Sequence, residues 1–308
     1  MNPSIDRIQI SVRDMAASVA LFRDVLEMTV VGEGPVDGAG FQRLWGLPAG
    51  TAATAVYLRN DEQSTAIELL EVTPHSGRCI REGAKLFDHG LFDIAFRTKH
   101  LDVAYEELTA KGYTFQSAPI VYTADWANVT VREVIMNGPD QMPIALIERL
   151  SAPLPVIEGR FGTMVDVAQF VPAMDACQRF YADVLGYTSV FDRTLPDGLI
   201  DGVVGLPPGT RSRLNLMFQT GTKTPAVEMI ECAGLGRALA AGVGPTRYGL
   251  FAMAMETADL LELLGRIGAA GFAVLSGPTE IQHALHGRMT AAAVRGPNQE
   301  LIEFFSRL

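Results

Sequence analysis

The chain repeats itself, and that repetition limits its folds more than any single motif. NGPDQMPIALIERL at 137–150 returns as RGPNQELIEFFSRL at 295–308. SVRDMAASVALFRDVLEM (11–28) parallels FVPAMDACQRFYADVLGY (170–187), and TAIELLEVT (65–73) parallels PAVEMIECA (225–233). GLFDIAFRTKHLDVAYEELTAKGY (90–113) matches GLFAMAMETADLLELLGRIGAAGF (249–272). All four pairs keep one order at offsets of 158 to 160, so each half of the 308 residues must build the same unit. The length agrees with two domains of about 150 residues.

Each half is itself double. Ile8, Ile10 and Val12 alternate with Arg7, Gln9 and Ser11, the period of a strand with one buried face. A helix follows over 16–26, with Val19, Phe22, Val25 and Leu26 on one stripe. Glycine- and proline-rich turns then lead to strands that end in AIELLEV. The order recurs from FDIAF through LDVAYEELTAKG, with Gly112 placed to end the helix, to IALIERL. The pattern predicts an α+β fold of four βαβββ modules, at 5–73, 88–150, 160–233 and 247–308. Domains at 1–150 and 160–308 flank a linker, SAPLPVIEG (151–159). GEGPVDGAG (32–40) lacks the lysine and spacing of a phosphate loop and reads as an ordinary loop.

The strings DMAASVALFRDVLEM, AIELLEV and NGPDQMPIALIE resemble the vicinal-oxygen-chelate (glyoxalase-like) superfamily, which includes glyoxalase I, extradiol dioxygenases and bleomycin-resistance proteins. The resemblance implies two tandem domains, each a U-shaped mixed sheet around a cavity. It also implies metal ligands on the first and last strand of each module. Those positions fall at Arg7, Glu68, Asp93 and Ala145 in the first half, and at Asp166, Glu228, Ala252 and Glu303 in the second. None is a histidine; the five histidines lie elsewhere. A dioxygenase iron site needs two histidines and a carboxylate, and glyoxalase-type sites mix histidine with glutamate. Neither chemistry is expected.

In the first half, Arg7 beside Glu68 and Asp93 can stand as the local cation, either as a structural ion-pair cluster or as a group that binds substrate. Arg7, Gln9, Glu68, Asp93, Trp126 and His286 are the ligand-binding candidates. In the second half, Asp166, Glu228 and Glu303 are the catalytic candidates. Three converging carboxylates require a magnesium, manganese or calcium ion, a retained proton, or an arginine such as Arg288. A surface position is the leading expectation for His283 and His286, although His286 could enter the cavity, because the following strand, RMTAAAV, should line one of its walls.

The net charge of −10 argues against nucleic acid and membrane surfaces as partners. Three scattered cysteines make no disulfide framework. The N-terminus reads as free of a signal peptide, so the expected compartment is the cytoplasm. Small or apolar neighbours of the acids suit a small apolar or aromatic ligand. The leading expectation is an acid–base isomerase, epimerase or lyase without histidine-bound metal or other cofactor. A sequestering protein of the resistance type and a carboxylate-only magnesium or manganese enzyme are the alternatives. Four modules supply both cavities within one chain, so no partner chain is demanded, although a homodimer is compatible, as in related proteins.

Overall fold

In a computed structural model, the described residues are 2–62, 64–124, 128–151, 159–219, 221, 225–239 and 242–308. Trp126 and most of the expected linker lie outside them. Module 1 contains β1 (Ser4–Ser11), α1 (Met15–Ala20), β2 (Thr29–Pro35), α2 (Gly38–Trp45), β3 (Ala52–Arg59) and β4 (Ala66–Thr73). Module 2 contains β5 (Gly90–Thr98), α3 (Leu101–Ala110), β6 (Thr114–Phe115), β7 (Ile120–Ala124), β8 (Val129–Asn137) and β9 (Pro143–Arg149). Module 3 contains β10 (Phe161–Phe170), α4 (Met174–Arg179), β11 (Tyr187–Thr194), α5 (Asp201–Val204), β12 (Ser212–Gln219) and β13 (Ala226–Cys232). Module 4 contains β14 (Gly249–Glu256), α6 (Leu260–Ala269), β15 (Ala273–Val274), β16 (Thr279–His283), β17 (Gly287–Arg295) and β18 (Leu301–Arg307). Gly112 follows α3 at φ 91°, the left-handed position foreseen for it.

The modules do not pair within the halves. β1 lies antiparallel to β14, so modules 1 and 4 form one nine-stranded sheet. β10 lies antiparallel to β5, so modules 2 and 3 form the other. Within each module the first strand is parallel to the last, as with Gln9 opposite Glu68 and Ala168 opposite Glu228. We call these the 1/4 and 2/3 sheets. The expected boundary near residue 150 separates two sequence repeats, while each sheet takes one module from each repeat.

Alternation along the first strands explains how one chain builds a core and two concave faces. Ile8, Ile10, Ile94, Phe96 and Val167 turn toward the helices, where they meet Phe22, Leu108, Phe180 and Leu263 in a single apolar core shared by both sheets. Modules 3 and 4 touch there just beyond the ends of α4 and α6, with the Phe180 and Phe272 rings 4.6 Å apart. The intervening residues, Arg7 and Gln9 on β1 and Asp93 and Ala95 on β5, face the concavities. Short helices cover both concave faces. The segment read as the loop GEGPVDGAG instead completes β2 and begins α2, where Asp37 caps the helix by accepting from the Gly40 amide at 3.2 Å. A side-chain carbon at Gly202 in α5 would come within 2.7 Å of Ile120 on β7, so glycine permits that helix to lie against the sheet. No helix of the described residues is long and apolar enough to cross a membrane.

Candidate functional site

The interleaved sheets redistribute the expected ligands. Arg7, Glu68, Ala252 and Glu303 share the 1/4 concavity; Asp93, Ala145, Asp166 and Glu228 share the 2/3 concavity. The expected trio Asp166, Glu228 and Glu303 therefore does not converge, and Asp93 does not meet Arg7. Arg288 reaches none of these acids. It pairs at the surface with Glu280, at 3.2 Å.

The 1/4 cluster is closed and neutralised. Arg7 Nε donates to Glu68 Oε2 at 2.7 Å, and Nη2 donates to Glu303 Oε1 at 2.5 Å. Gln9 Nε2 bridges the same glutamates at 2.9 Å each, and the Tyr57 hydroxyl donates to Glu68 Oε1 at 3.1 Å. Arg7, Gln9, Glu68 and Glu303 are each at most 3% exposed. Burial opposes the charge on Arg7, but Glu303 and Glu68 hold its pKa well above the ordinary arginine value. Burial also pushes Glu303 up, partly offset by Arg7. Arg7 sits 4.8 Å from the centre of the Phe305 ring.

His283, expected at the surface, and His286, expected there or in the cavity, are both enclosed beside this cluster. Their side chains are 5% exposed and their rings stack 5.0 Å apart. His286 Nε2 contacts Asp6 at 2.9 Å. Burial raises the Asp6 carboxyl, but His286 and Arg7 outweigh it and hold Asp6 below the carboxylate range. Burial, with Arg7, depresses His283 to about 2 and keeps it neutral. The Leu285 amide donates to His283 Nδ1, so the remaining proton sits on Nε2, which finds no hydrogen-bond partner among the described residues.

The 2/3 concavity is different in kind. Asp93, Asp166 and Glu228 project from β5, β10 and β13, and Glu133 joins them from β8. Sequence reading missed Glu133, although its place between Val131 and Ile135 in a strand alternation was a usable signal. No hydrogen bond joins any of these four carboxyls to a guanidinium among the described residues. The Tyr122 hydroxyl donates to Glu133 Oε2 at 2.5 Å. Asp93 and Asp166 are buried, while Glu133, Glu228 and Tyr122 keep partial solvent contact. Burial, reinforced by Asp166 and Glu133, pushes Asp93 well above its usual range. Burial and then Glu133 bring Asp166 to about 7. Glu228 rises well above its usual value through burial and repulsion from Asp166, Glu133 and Asp93. Burial raises Glu133 too, against the Tyr122 hydrogen bond. Mutual repulsion in a poorly solvated space keeps protons on carboxyls that would be ionised in water.

The walls are apolar. Ala95, Ile135, Ala145, Ala168, Phe170 and Ile230 surround the acids in one cluster with Val203 and Val204 of the α5 lid. A separate surface cavity of about 820 Å³ opens near Arg81, Phe87, Asn137 and Leu206. It shares Phe87, Val204 and Leu206 with that cluster but carries none of the four acids.

A family model described as the Glyoxalase/Bleomycin resistance protein/Dioxygenase superfamily matches residues 4–132 and again 163–304. The chain belongs to that superfamily. Among solved structures, glyoxalase I from Zea mays superposes with a TM-score of 0.69 at 14% identity, covering 99% of this chain and 92% of that one. A putative dioxygenase from Bacillus subtilis gives 0.64 at 11% identity, covering 99% and 86%. At such identities these likenesses speak for the fold alone. No curated protein matches the sequence.

Superfamily membership raises the question of a metal, and neither concavity has residues that fit one. In the 1/4 sheet the Arg7 guanidinium stands between Glu68 and Glu303, so a cation belonging to the chain already takes up both acids. In the 2/3 sheet, Ala145 leaves one superfamily position without a donor. Among the described residues no three His, Cys, Asp or Glu groups lie close enough to hold an ion. The magnesium or manganese site expected from Asp166, Glu228 and Glu303 loses its basis, because Glu303 lies in the other sheet.

Proposed function

We propose that the 2/3 concavity is the working site and that its carboxyls perform general acid–base chemistry on a small molecule, as an isomerase, epimerase or lyase. One observation carries this reading: four inward-facing carboxyls, two buried and two in partial solvent contact, share one apolar-walled face with no guanidinium hydrogen-bonded to them among the described residues. Such a group divides into ionised and protonated members near neutral pH. An ionised member takes a proton from a carbon acid. A protonated neighbour delivers one at another position or on the opposite face, so the net charge of the site is unchanged. Asp166, near 7, is best suited to alternate between the two states. Tyr122 keeps Glu133 oriented. The 1/4 cluster, sealed and charge-compensated, serves structure.

Solvent exchange tests the proposal. A panel of small ketones, aldehydes and 2-oxo acids is incubated with the protein in D2O and followed by proton NMR. Wild-type protein is expected to introduce deuterium into at least one member. Asp166→Asn or Glu228→Gln should slow that exchange by about 100-fold or more, within the scale of general acid–base contributions, while Glu303→Gln leaves it unchanged. Exchange that survives both cavity substitutions removes the proposal. Tight ligand binding without any exchange would favour the sequestering alternative, which the apolar wall of Ile135, Ala168 and Phe170 also suits.

A further inference from the structure

Two arginines at one end of the 2/3 concavity have no part in the acid–base reading. Strand alternation places Arg97 on the face of β5 that carries Asp93 and Ala95. It likewise places Arg149 on the face of β9 that carries Ala145 and Ile147. Arg97 is in register with Ile147 on the parallel neighbour, so Arg149 lies one strand over and two residues further along. At ordinary strand spacing their backbones stand roughly 8 Å apart, close enough for two long side chains to meet. Both side chains are half-buried.

Neither arginine forms an ion pair within the described residues, although Arg7, Arg13, Arg132, Arg160 and Arg213 all do. Arg97 makes no hydrogen bond there, and Arg149 spends only its Nε, on the Ser151 carbonyl at 3.1 Å. Two adjacent guanidiniums held half out of water without an acid repel each other. Burial and the Arg149 charge both act against the charge on Arg97, with only Asp166 in its favour. Among the described residues no acid takes up these forked donors, whose planar geometry suits a carboxylate or phosphate.

We infer that Arg97 and Arg149 form an anion clamp at the Asp166 end of the 2/3 concavity, so that its substrate is an organic anion, a carboxylate or phosphate ester. This rests on the reading of that concavity as the working site and gives it a substrate class. The acids do not exclude an anion, because several keep their protons and the two arginines offset the rest. A bound anion at the arginines would direct the apolar body of the molecule along Ile147 and Ala168 toward the carboxyls.

Isothermal titration of the full chain at pH 7 with benzoate, phenyl phosphate and neutral benzamide tests the clamp. At least one anion is expected to bind ten times or more tighter than benzamide, and the preferred anion identifies carboxylate or phosphate as the recognised group. Arg97→Met and Arg149→Met should each weaken that anion at least tenfold and leave benzamide unchanged. Arg149→Lys should retain part of the preference. Because Arg97 has no hydrogen bond to lose, Arg97→Met is expected to melt no lower than wild type, which separates a binding defect from misfolding. Anions that bind no tighter than benzamide, or that are indifferent to both methionine variants, overturn the clamp. Clamp failure and acid–base failure remain distinguishable. Anion binding through the arginines with no deuterium exchange sinks only the acid–base reading, whereas exchange on neutral substrates without anion preference sinks only the clamp.

Discussion

Asp166→Asn should make the protein more stable, and only above a certain pH. In the folded chain the Asp166 carboxyl is raised from 3.8 to about 7, chiefly by burial and then by the charge of Glu133. The folded state therefore holds a proton that the unfolded chain releases above 3.8. Stability from this group is complete below 3.8, declines as pH rises, and is lost once pH passes about 7. At about 1.4 kcal/mol for each tenfold change in proton affinity, the loss approaches ~4 kcal/mol. Asparagine cannot ionise and avoids it. It must place an amide NH2 among acceptors, and removing one charge relaxes Asp93 and Glu228 too. The net gain above pH 7 should therefore be about 2–3 kcal/mol, and near pH 4 almost nothing. For a chain of this size that corresponds to a rise of roughly 3–5 °C in melting temperature. The assay is a series of melts of both proteins from pH 4 to 8.5. A variant that is destabilised equally at both ends, or a gap that does not open with pH, would refute the reasoning.

The 1/4 cluster predicts the opposite response. Arg7→Met leaves Glu68 and Glu303 buried without their cation and should cost about 3–5 kcal/mol in urea denaturation at pH 7. Adding Glu68→Gln and Glu303→Gln should return much of that loss; a triple variant no better than the single one would count against mutual neutralisation. Tyr122→Phe removes the hydrogen bond that favours ionised Glu133, so the Glu133 titration should move to higher pH, read by carbon NMR of labelled carboxyls. An unmoved midpoint would show that the hydroxyl does not govern this carboxyl.

Much of the fold could be read from sequence because each device is local. The alternation of Ile8 and Ile10 against Arg7 and Gln9, the stripe ending at Phe22, and Gly112 after α3 each work over a few residues. The pairing of modules could not be read in this way. The four first strands carry nearly the same pattern, so nothing within β1 distinguishes β5 from β14 as its neighbour, and the choice is made by packing over the whole core. That choice decided which acids met. The eight superfamily positions all fall on first or last strands of modules, but Glu303 belongs with Arg7 rather than with Asp166. Arg97 was legible in principle, since FDIAFRT puts Asp93, Ala95 and Arg97 on one face. The pattern alone does not single it out, because a charge near a strand end usually belongs to solvent. His283 and His286 are enclosed for the converse reason: β16, which ends at His283, packs against α2, and the turn into β17 stacks His286 on His283, while local sequence reports only a loop.

The crossing of modules between sheets makes the polypeptide resemble an exchanged dimer joined into one thread. Neither half owns a complete cavity, so each half expressed alone would present unpaired first-strand edges and seek a second copy. Cutting the chain between Ser151 and Gly159 should leave two fragments that must recombine, with the connection acting as a tether that raises their effective concentration. Such an arrangement also lets two cavities diverge in one molecule. A cation built into one and arginines without an ion pair among the described residues in the other require changes in different modules, and the two sheets have in common only the apolar core packed between them.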